Sequence, residues 1–316
     1  MSITPFPNGI SSFGNVINSG WGVGNVYLVC QSAQTTVWAE MNKKYGKLVY
    51  SDGSRCLHST IATALSACVT ERNDYVVLMP DNDDYDHTTT LTINKKSVHL
   101  ICPANLGPSV GTMNNARVHN HSGTSSHAIT VTAGGVEVGG IYCKTSLNKY
   151  GIHIVDSADA VTSCWGLWIH NNTVVLYTAA SSADGGIIGS GDGLSYSVVE
   201  NNKCMVQNTT SHPIIIGTVG SSWAVIKKNL IISAGTGNTT AAAINLGTSN
   251  ICHCSDNEIF ESGLSTITVG IAGNQYCSLF DNRIGITDMT NAITGTETDV
   301  SAVSNLGGVS GGSITL

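Results

Sequence analysis

Two stretches near the C-terminal end, Asp256-Asn257-Glu258-Ile259 and Asp281-Asn282-Arg283-Ile284, decide the fold because they are copies of one pattern. An asparagine followed two residues later by a small or apolar residue also recurs in three earlier places. The five shared asparagines, separated by 30, 27, 28 and 25 residues, are Asn172, Asn202, Asn229, Asn257 and Asn282. Small or apolar residues stand five and three positions before each of them, at the spacing of a strand's inward face. Each asparagine is therefore predicted to lie at a bend between two short strands.

A second series of β-prone segments, most of them ending in glycine, lies about half a repeat away. Its members are Val98–Ile101, Ala128–Val131, Gly151–Ile154, Gly186–Gly189, Ile214–Gly217, Ala243–Gly247, Gly270–Gly273 and Ala292–Gly295. Short strands that recur in this way indicate a parallel β-solenoid, whose turns stack at ~4.8 Å so that equivalent residues form columns. Asparagine suits a bend column because it tolerates left-handed backbone geometry, and stacked amides bond to one another.

The composition of the 316-residue chain is that of a β-rich protein with many turns. It holds 35 glycines, only 11% charged residues and 41% hydrophobic residues, with a formal charge of −7. The hydrophobic content excludes disorder, and the residues typical of long helical bundles are too few. The acidic balance argues against nucleic acid as a partner, and the apolar runs are too short to span a membrane.

Residues 51–295 resemble the pectate-lyase-like right-handed parallel β-helix superfamily. Besides the asparagine bends and the Ile-Gly strands, the resemblance rests on Asp52-Gly53, the amphipathic segment Thr60–Leu65 and the run Asn73–Pro80. It implies an all-β, single-stranded, right-handed parallel β-helix whose open end is capped by a short helix. Residues 1–50 are then expected to form an N-terminal arm and cap for attachment, and residues 296–316 a Gly/Ser-rich tail. Because this architecture hosts lyases, hydrolases and viral spikes alike, it does not give the function.

The cysteines and histidines indicate neither a metal site nor a cofactor site. Cys252-His253-Cys254 lacks the spacing and the further ligands usual at zinc sites, and on a strand both thiols would point inward. Three histidines, His119, His121 and His127, are interpreted as part of a surface loop. The predicted inward columns hold four cysteines as small hydrophobic residues: Cys204, Cys252, Cys254 and Cys277.

One catalytic hypothesis rests on Asp256 and Asp281, which occupy the same column in adjacent turns. Their separation of about one turn is close to the ~5–5.5 Å between the carboxyl groups of retaining glycosidases. The competing interpretation is structural, because Asp-Asn is a common turn dipeptide. Glu258 and Arg283 are predicted to form a surface ion pair, which contributes little to stability.

Another candidate group consists of acids near Trp165 and Trp168 in the sequence. Aromatic faces beside carboxylates suit sugar binding, and solvated loops are the competing explanation. The group comprises Asp156, Asp159, Asp184, Asp192 and Glu200. The paired-aspartate and Arg-x-Lys signatures of polygalacturonase-like hydrolases are missing, as is the acidic calcium cluster of pectate lyases. No catalytic residue of the superfamily is therefore carried over to this chain.

The N-terminal region has features of an attachment arm, with apolar anchors at Ile3, Phe6, Ile10 and Phe13. The openings Thr4–Ile10 and Gly24–Val29, of which the second is predicted to be a strand, are similar to those of β-helix proteins encoded among tailed-phage virion genes. The resemblance implies a capsid decoration protein or tailspike-like spike that is made in the host cytoplasm and lies on the particle surface. Such a protein is expected to be a non-enzymatic homotrimer that contacts the major capsid protein, with host-surface glycans as a further partner.

Two other functions stay open at this point. One is a polysaccharide-degrading lyase or glycosidase that uses a groove on the β-helix. The other is a non-catalytic glycan-binding adhesin. Product released from a glycan would indicate the enzyme, and binding without product would indicate the adhesin.

Overall fold

The computed structural model is an all-β parallel β-helix, which confirms the predicted fold class. The structure describes residues 11–12, 15–16, 24–33, 35–80, 84–103, 116–120, 127–145, 150–156, 164–176, 185–207, 212–218, 220–234, 239–247, 251–261, 266–273, 277–286, 293–294, 300–303 and 306–307. The four predicted anchors Ile3, Phe6, Ile10 and Phe13 lie outside these residues, as do His121, Asp159 and Asp184.

The described residues form two helices, α1 (Thr35–Tyr45) and α2 (Ile61–Ala67), and a long series of short strands. In chain order the strands are β1 (Ser11–Ser12), β2 (Asn15–Val16), β3 (Val26–Val29), β4 (Leu57–His58), β5 (Asp74–Leu78), β6 (Asp84–His87), β7 (Leu91–Ile93), β8 (Val98–Ile101), β9 (Ala116–Asn120), β10 (Ile129–Val131), β11 (Glu137–Gly139), β12 (Ile141–Thr145), β13 (Ile152–Val155), β14 (Trp168–His170), β15 (Thr173–Leu176), β16 (Ile187–Ser190), β17 (Val198–Glu200), β18 (Lys203–Val206), β19 (His212–Thr218), β20 (Val225–Lys227), β21 (Leu230–Ser233), β22 (Thr239–Asn245), β23 (His253–Ser255), β24 (Glu258–Glu261), β25 (Thr266–Ala272), β26 (Cys277–Phe280), β27 (Arg283–Gly285), β28 (Ile293–Thr294), β29 (Val300–Val303) and β30 (Leu306–Gly307).

Three long parallel sheets run along the β-helix, and each full turn of the chain adds one strand to each sheet. The eleven-stranded sheet has the order β29-β26-β23-β20-β17-β14-β11-β8-β5-β3-β4. The eight-stranded sheet runs from β28 to β7 and the nine-stranded sheet from β30 to β6, both in steps of three strands. The register places Val138, Ile169 and Val199 side by side in successive turns. Equivalent positions therefore form columns along the axis.

The inward columns pack into one continuous apolar core. One inward column of the eleven-stranded sheet consists of buried residues in successive turns, which are Tyr27, Val76, Leu100, Val138, Ile169, Val199, Ile226, Cys254 and Leu279. Their neighbours in sequence point outward, as the period of two requires. The four cysteines that were predicted to be inward are buried, and the other six cysteines are buried thiols as well.

Thiol reactivity provides a test of this interior. Burial raises the pKa of the Cys143 and Cys204 thiols to about 12, and it raises the pKa of Cys164 to the same value. Because the thiolate is the nucleophile, we expect none of the ten thiols to react quickly with Ellman's reagent in the native protein at about pH 8. All ten should react in denaturant. Rapid colour development from the native protein would contradict the buried columns.

The predicted asparagines form a hydrogen-bonded column at the corner between the eleven-stranded and nine-stranded sheets. Asn202 shows the pattern: its Nδ2 donates to the carbonyl of Ile169 over 2.9 Å and to Oδ1 of Asn229 over 3.1 Å. Its own Oδ1 accepts from the backbone N and from Nδ2 of Asn172, both over 3.0 Å. The same bonds join the rest of the column, which is Asn229, Asn257 and Asn282.

The left-handed residue at each of these bends is the one that precedes the column asparagine. Asn201, for example, has φ 54° and is partly exposed, whereas Asn202 is buried. Tolerance of left-handed geometry is therefore the wrong reason for the asparagine column. The column selects asparagine because one amide both donates and accepts, so that each turn bonds to the turns on either side.

Two helices cover the N-terminal end. Helix α2 forms in the segment predicted to cap the barrel: Thr60 Oγ1 accepts from the backbone N of Thr63 over 3.2 Å, and Ile61, Ala64 and Leu65 are buried in the core. Helix α1 was not predicted, and it packs aromatic and methionine side chains on the outer side of β3. Neither helix in the described part of the chain is long and apolar enough to cross a membrane.

The β-helix extends beyond the predicted limits of residues 51–295. Strand β3 pairs in parallel with β5, so part of the expected arm is already the first turn. At the other end, β29 pairs with β26 and β30 pairs with β27, inside the expected tail. The parallel ladder therefore continues where the sequence motif is no longer recognisable.

Candidate functional site

At the corner where the chain enters the eleven-stranded sheet, successive turns each have one residue with left-handed backbone geometry. The parallel register places these residues two positions before the outward residue of each strand. This entry column, with φ between 54° and 69°, consists of Asn73, Ser97, Gly135, Gly166, Tyr196, Trp223 and Ile251. Left-handed geometry costs a non-glycine residue of order 1–3 kcal/mol, and bulky residues are rare there. Strained backbone positions of this kind cluster at functional sites.

The bulky members of the entry column belong to an exposed apolar strip on four successive turns. We call Trp165, Tyr196, Trp223 and Ile251 the entry strip; their exposed fractions are 49%, 57%, 51% and 44%. The rings of Trp165 and Tyr196 lie 5.7 Å apart between centroids. None of the four side chains fills the core, so the fold does not need them. Contiguous exposed apolar side chains of this kind mark binding surfaces.

Trp168 adds a rigid aromatic face beside the strip, on the outer side of β14. Its ring stacks on His170, with centroids 3.8 Å apart and planes 21° from parallel. Its Nε1 donates to Oε1 of Glu200 over 2.7 Å. One face of the indole is thus covered and its edge is fixed, yet 45% of the residue is exposed. The open part is a preorganised surface for stacking.

Glu137 holds His170, on which Trp168 stacks, and it contacts a second histidine as well. Nε2 of His170 lies 2.8 Å from its Oε1, and Nδ1 of His99 lies 2.7 Å from its Oε2. Burial raises the pKa of Glu137, but the hydrogen bonds from His170 and His99 outweigh it and hold the pKa at about 2. The carboxylate therefore stays ionised in the acidic range.

A glycine makes room for His170. A β-carbon on Gly139 would lie 2.6 Å from Nε2 of His170, so the imidazole can reach Glu137 only because this position has no side chain. The other nitrogen, Nδ1, lies 2.9 Å from Nδ2 of Asn171. Both edges of the ring are thus engaged, and its stacking with Trp168 is fixed.

Glu200 forms the other end of the polar cluster. Nζ of Lys227 lies 3.1 Å from its Oε2, while Trp168 occupies Oε1. Burial raises the pKa of Glu200, and the bonds from Lys227 and Trp168 lower it by more, so that the net shift is downward. Glu200 is therefore an ionised anchor for Trp168 and is paired with a cation.

Replacing Glu137 by glutamine should loosen the Trp168 platform. We expect Glu137→Gln to lower the free energy of unfolding by about 2 kcal/mol near neutral pH, because His99 and His170 contact different oxygens of the carboxylate and glutamine replaces one of these oxygens with an NH2 group. A pKa depressed from 4.5 to about 2 stabilises the fold above pH 4.5, and this contribution is lost as pH falls toward 2. The variant should lose stability less steeply than the wild type across that window. Urea titrations of both proteins at several pH values measure this difference. If the pairing did not matter, the free energy of unfolding would change with pH equally in the variant and in the wild type.

The structure places the predicted site residues in different regions. Of the acids near Trp165 and Trp168, Glu200 belongs to the cluster just described and Asp192 is exposed in the turn that leads to Tyr196. Asp156 is partly exposed at the end of β13, beside the buried Cys164.

Asp256 and Asp281 are exposed, left-handed residues in adjacent turns at the asparagine corner, where the chain leaves the eleven-stranded sheet. Their catalytic role stays a prediction. The predicted surface pair of Glu258 and Arg283 is confirmed, with Nη1 2.9 Å from Oε1.

Two of the three histidines interpreted as part of a surface loop, His119 and His127, lie in the described part of the chain. His119 lies in β9 with Nδ1 3.4 Å from a carboxylate oxygen of Asp86, and His127 stacks on Tyr150 before β10. Within the described ranges no group of three or more His, Cys, Asp or Glu side chains is arranged to hold a metal ion.

Sequence reasoning missed His99, Glu137, His170, Tyr196 and Trp223. The signal that could have found them is positional: each stands at a fixed offset from an inward residue of the eleven-stranded sheet. Aligning the turns on the asparagines would have placed Tyr196 and Trp223 in one column with Gly166.

Comparisons with known proteins show similarity of fold only. No protein-family model and no curated protein matches the chain. Similar solved structures include a pectin methylesterase from Aspergillus niger (10% identity, 93% of this chain and 88% of that one, TM-score 0.49) and pectin methylesterase PemA from Erwinia chrysanthemi (10%, 93% and 91%, 0.48). A pectin methylesterase in complex with a hexasaccharide has 10% identity, coverages of 92% and 90%, and a TM-score of 0.49. At this similarity no residue and no activity is carried over, and the resemblance to phage virion proteins stays a prediction.

Proposed function

We propose that the protein binds a glycan on the outer face of its eleven-stranded sheet, at the entry strip and Trp168. The observation that carries the proposal is the strain: Tyr196 and Trp223 occupy left-handed positions where the preceding turns have Gly135 and Gly166. Both side chains are exposed, so packing in the core does not offset this cost. A ligand that stacks on them would offset it.

Sugar is the ligand class that suits this surface best. The apolar C–H face of a pyranose ring stacks on an aromatic ring, and the open part of Trp168 is already fixed for such a contact. Charged groups at the edge, Glu200 and Lys227, can accept from and donate to sugar hydroxyls with the sites that their own pairing leaves free. The combination was expected from acids near Trp165 and Trp168, and it supports the glycan-binding alternative.

Replacing a strained aromatic residue by glycine tests the proposal without endangering the fold. Glycine accepts the left-handed geometry freely, so Tyr196→Gly and Trp223→Gly should leave the free energy of unfolding unchanged or raise it by about 1 kcal/mol. Loss of one stacking surface should weaken glycan binding roughly tenfold. The measurement is a glycan array followed by calorimetric titration of the best ligand.

Phe260 provides the matched control, because it is an exposed aromatic residue on the outer face of the nine-stranded sheet. Phe260→Ala should leave glycan binding unchanged. If the two glycine variants bind the array ligand as tightly as the wild type, the entry strip is not the binding surface. If the wild type is an oligomer in mass photometry and the glycine variants are monomers, the strip is an interface between copies and the proposal fails.

The same titration separates binding from catalysis. Binding without released product supports an adhesin, whereas product would favour the lyase or glycosidase alternative, with Asp256→Asn and Asp281→Asn as the variants to test first. A place on a phage particle, as decoration protein or spike, is compatible with a glycan-binding face. That location is tested by the presence of the protein in purified particles and by its trimeric mass.

A further inference from the structure

We infer that the ligand is an extended, uncharged glycan chain that lies along the axis of the β-helix, over the entry strip. This inference rests on the proposed glycan-binding function and specifies its ligand. It has two parts, the direction of the chain and its charge.

The direction follows from the register. Tyr196, Trp223 and Ile251 occupy the same position in three successive turns, and Trp165 stands one residue before that position in the turn before. The apolar surface therefore extends along the axis, across the strands, for roughly 14 Å at the spacing of parallel strands. A single sugar ring covers only part of this length. A chain can contact all four side chains.

The charge follows from the groups that border the strip. Glu137 and Glu200 are ionised. Glu137 is already hydrogen-bonded to His99 and His170, and Glu200 is already paired with Lys227. Asp192 lies in the turn before Tyr196, close to Gly220 of the next turn, and has no cationic partner among the described residues.

No excess positive charge therefore faces the strip in the described part of the chain. A polyanionic chain would be repelled by Asp192, and the cation nearest to the strip, Lys227, is already paired with Glu200. A neutral chain needs no unpaired cation.

The test compares hexasaccharides of glucose, mannose and xylose with an oligogalacturonate of equal length and with the corresponding neutral disaccharides. We expect at least one neutral hexasaccharide to bind roughly tenfold or more tightly than both the oligogalacturonate and its own disaccharide. Raising the salt concentration should leave that affinity unchanged, since no ion pair is involved.

Ile251→Gly separates the axial arrangement from a single stacking site. This variant keeps the aromatic residues and relieves a strained β-branched position, so it should fold. It should weaken the hexasaccharide several-fold and leave disaccharide binding as it is.

The outcomes that overturn the inference are distinct. Equal or better binding of the oligogalacturonate overturns the charge assignment. Equal affinity for disaccharide and hexasaccharide, or no effect of Ile251→Gly, overturns the axial path. No binding of any sugar overturns the proposed function itself.

Discussion

Arg72→Ala is expected to lower the free energy of unfolding by about 3 kcal/mol, because it leaves a fully buried carboxylate without its cation. Asp74 is 0% exposed, and Nε of Arg72 lies 2.7 Å from its Oδ1. The backbone N atoms of Asn25 and Val69 also donate to this carboxylate, over 2.8 Å and 2.7 Å. These two amides would remain, but neither carries the charge that the buried carboxylate requires.

The same guanidinium connects three parts of the N-terminal end. Its Nη2 donates to the hydroxyl of Tyr27 over 2.6 Å, and Nη1 pairs with Asp52. The Tyr27 hydroxyl in turn donates to the carbonyl of Ala67 at the end of α2, over 2.9 Å. Arg72 therefore holds β3, the Asp52 turn and the capping helix against β5. Its loss should open this end of the core first, and amide exchange in β3 should accelerate before that in β17.

Arg283 is the matched control, since it pairs with Glu258 in solvent. Exposed pairs contribute about 0–1 kcal/mol, so Arg283→Ala should change stability by less than about 0.5 kcal/mol. Guanidinium unfolding followed by circular dichroism measures both variants. The Arg72→Ala/Asp74→Ala double variant should be less destabilised than the sum of the two single variants. Similar midpoints for Arg72→Ala and Arg283→Ala would show that the buried pairing is unimportant.

The fold could be predicted from sequence because its repeating unit is local. Asn257 and Ile259 form a motif of a few residues that recurs with the same chemistry in each turn. Helix α1 escaped prediction because it lies outside the repeat and no described residue of it is buried. In the described part of the chain, no other helix packs on the outer side of a strand in this way.

The candidate site could not be predicted in the same way, because its contacts join different turns. His99, Glu137 and His170 are separated by 38 and 33 residues, and the loop lengths within these two unequal intervals would have to be known to bring the three residues together. The residues that were selected are Trp165, Trp168, Asp192 and Glu200, as aromatic residues near acids in the sequence. Gly139 gave no signal, since its role is the space that it leaves for His170.

Asn202→Ala is expected to lower the free energy of unfolding by about 4 kcal/mol, because one side chain makes four hydrogen bonds in the buried column. The variant removes donation from Nδ2 to Ile169 and Asn229, and it removes the acceptor for the backbone N and Nδ2 of Asn172. Each bond is worth about 1 kcal/mol net, and the backbone N of Asn172 is left buried without this acceptor. Since the column joins successive turns, the loss weakens stacking on both sides of the substituted turn.

Asn201 is the control for this prediction, since it is the same residue type one position earlier in the chain. It has φ 54°, lies at the surface and is not a member of the buried column. Asn201→Gly should therefore change stability by less than about 0.5 kcal/mol, because glycine adopts this geometry without strain. If the two variants unfold at the same guanidinium concentration, the bend is held by its backbone alone. A large difference between these adjacent asparagines would instead show that hydrogen bonding between turns, rather than tolerance of left-handed geometry, is what the repeated asparagine provides.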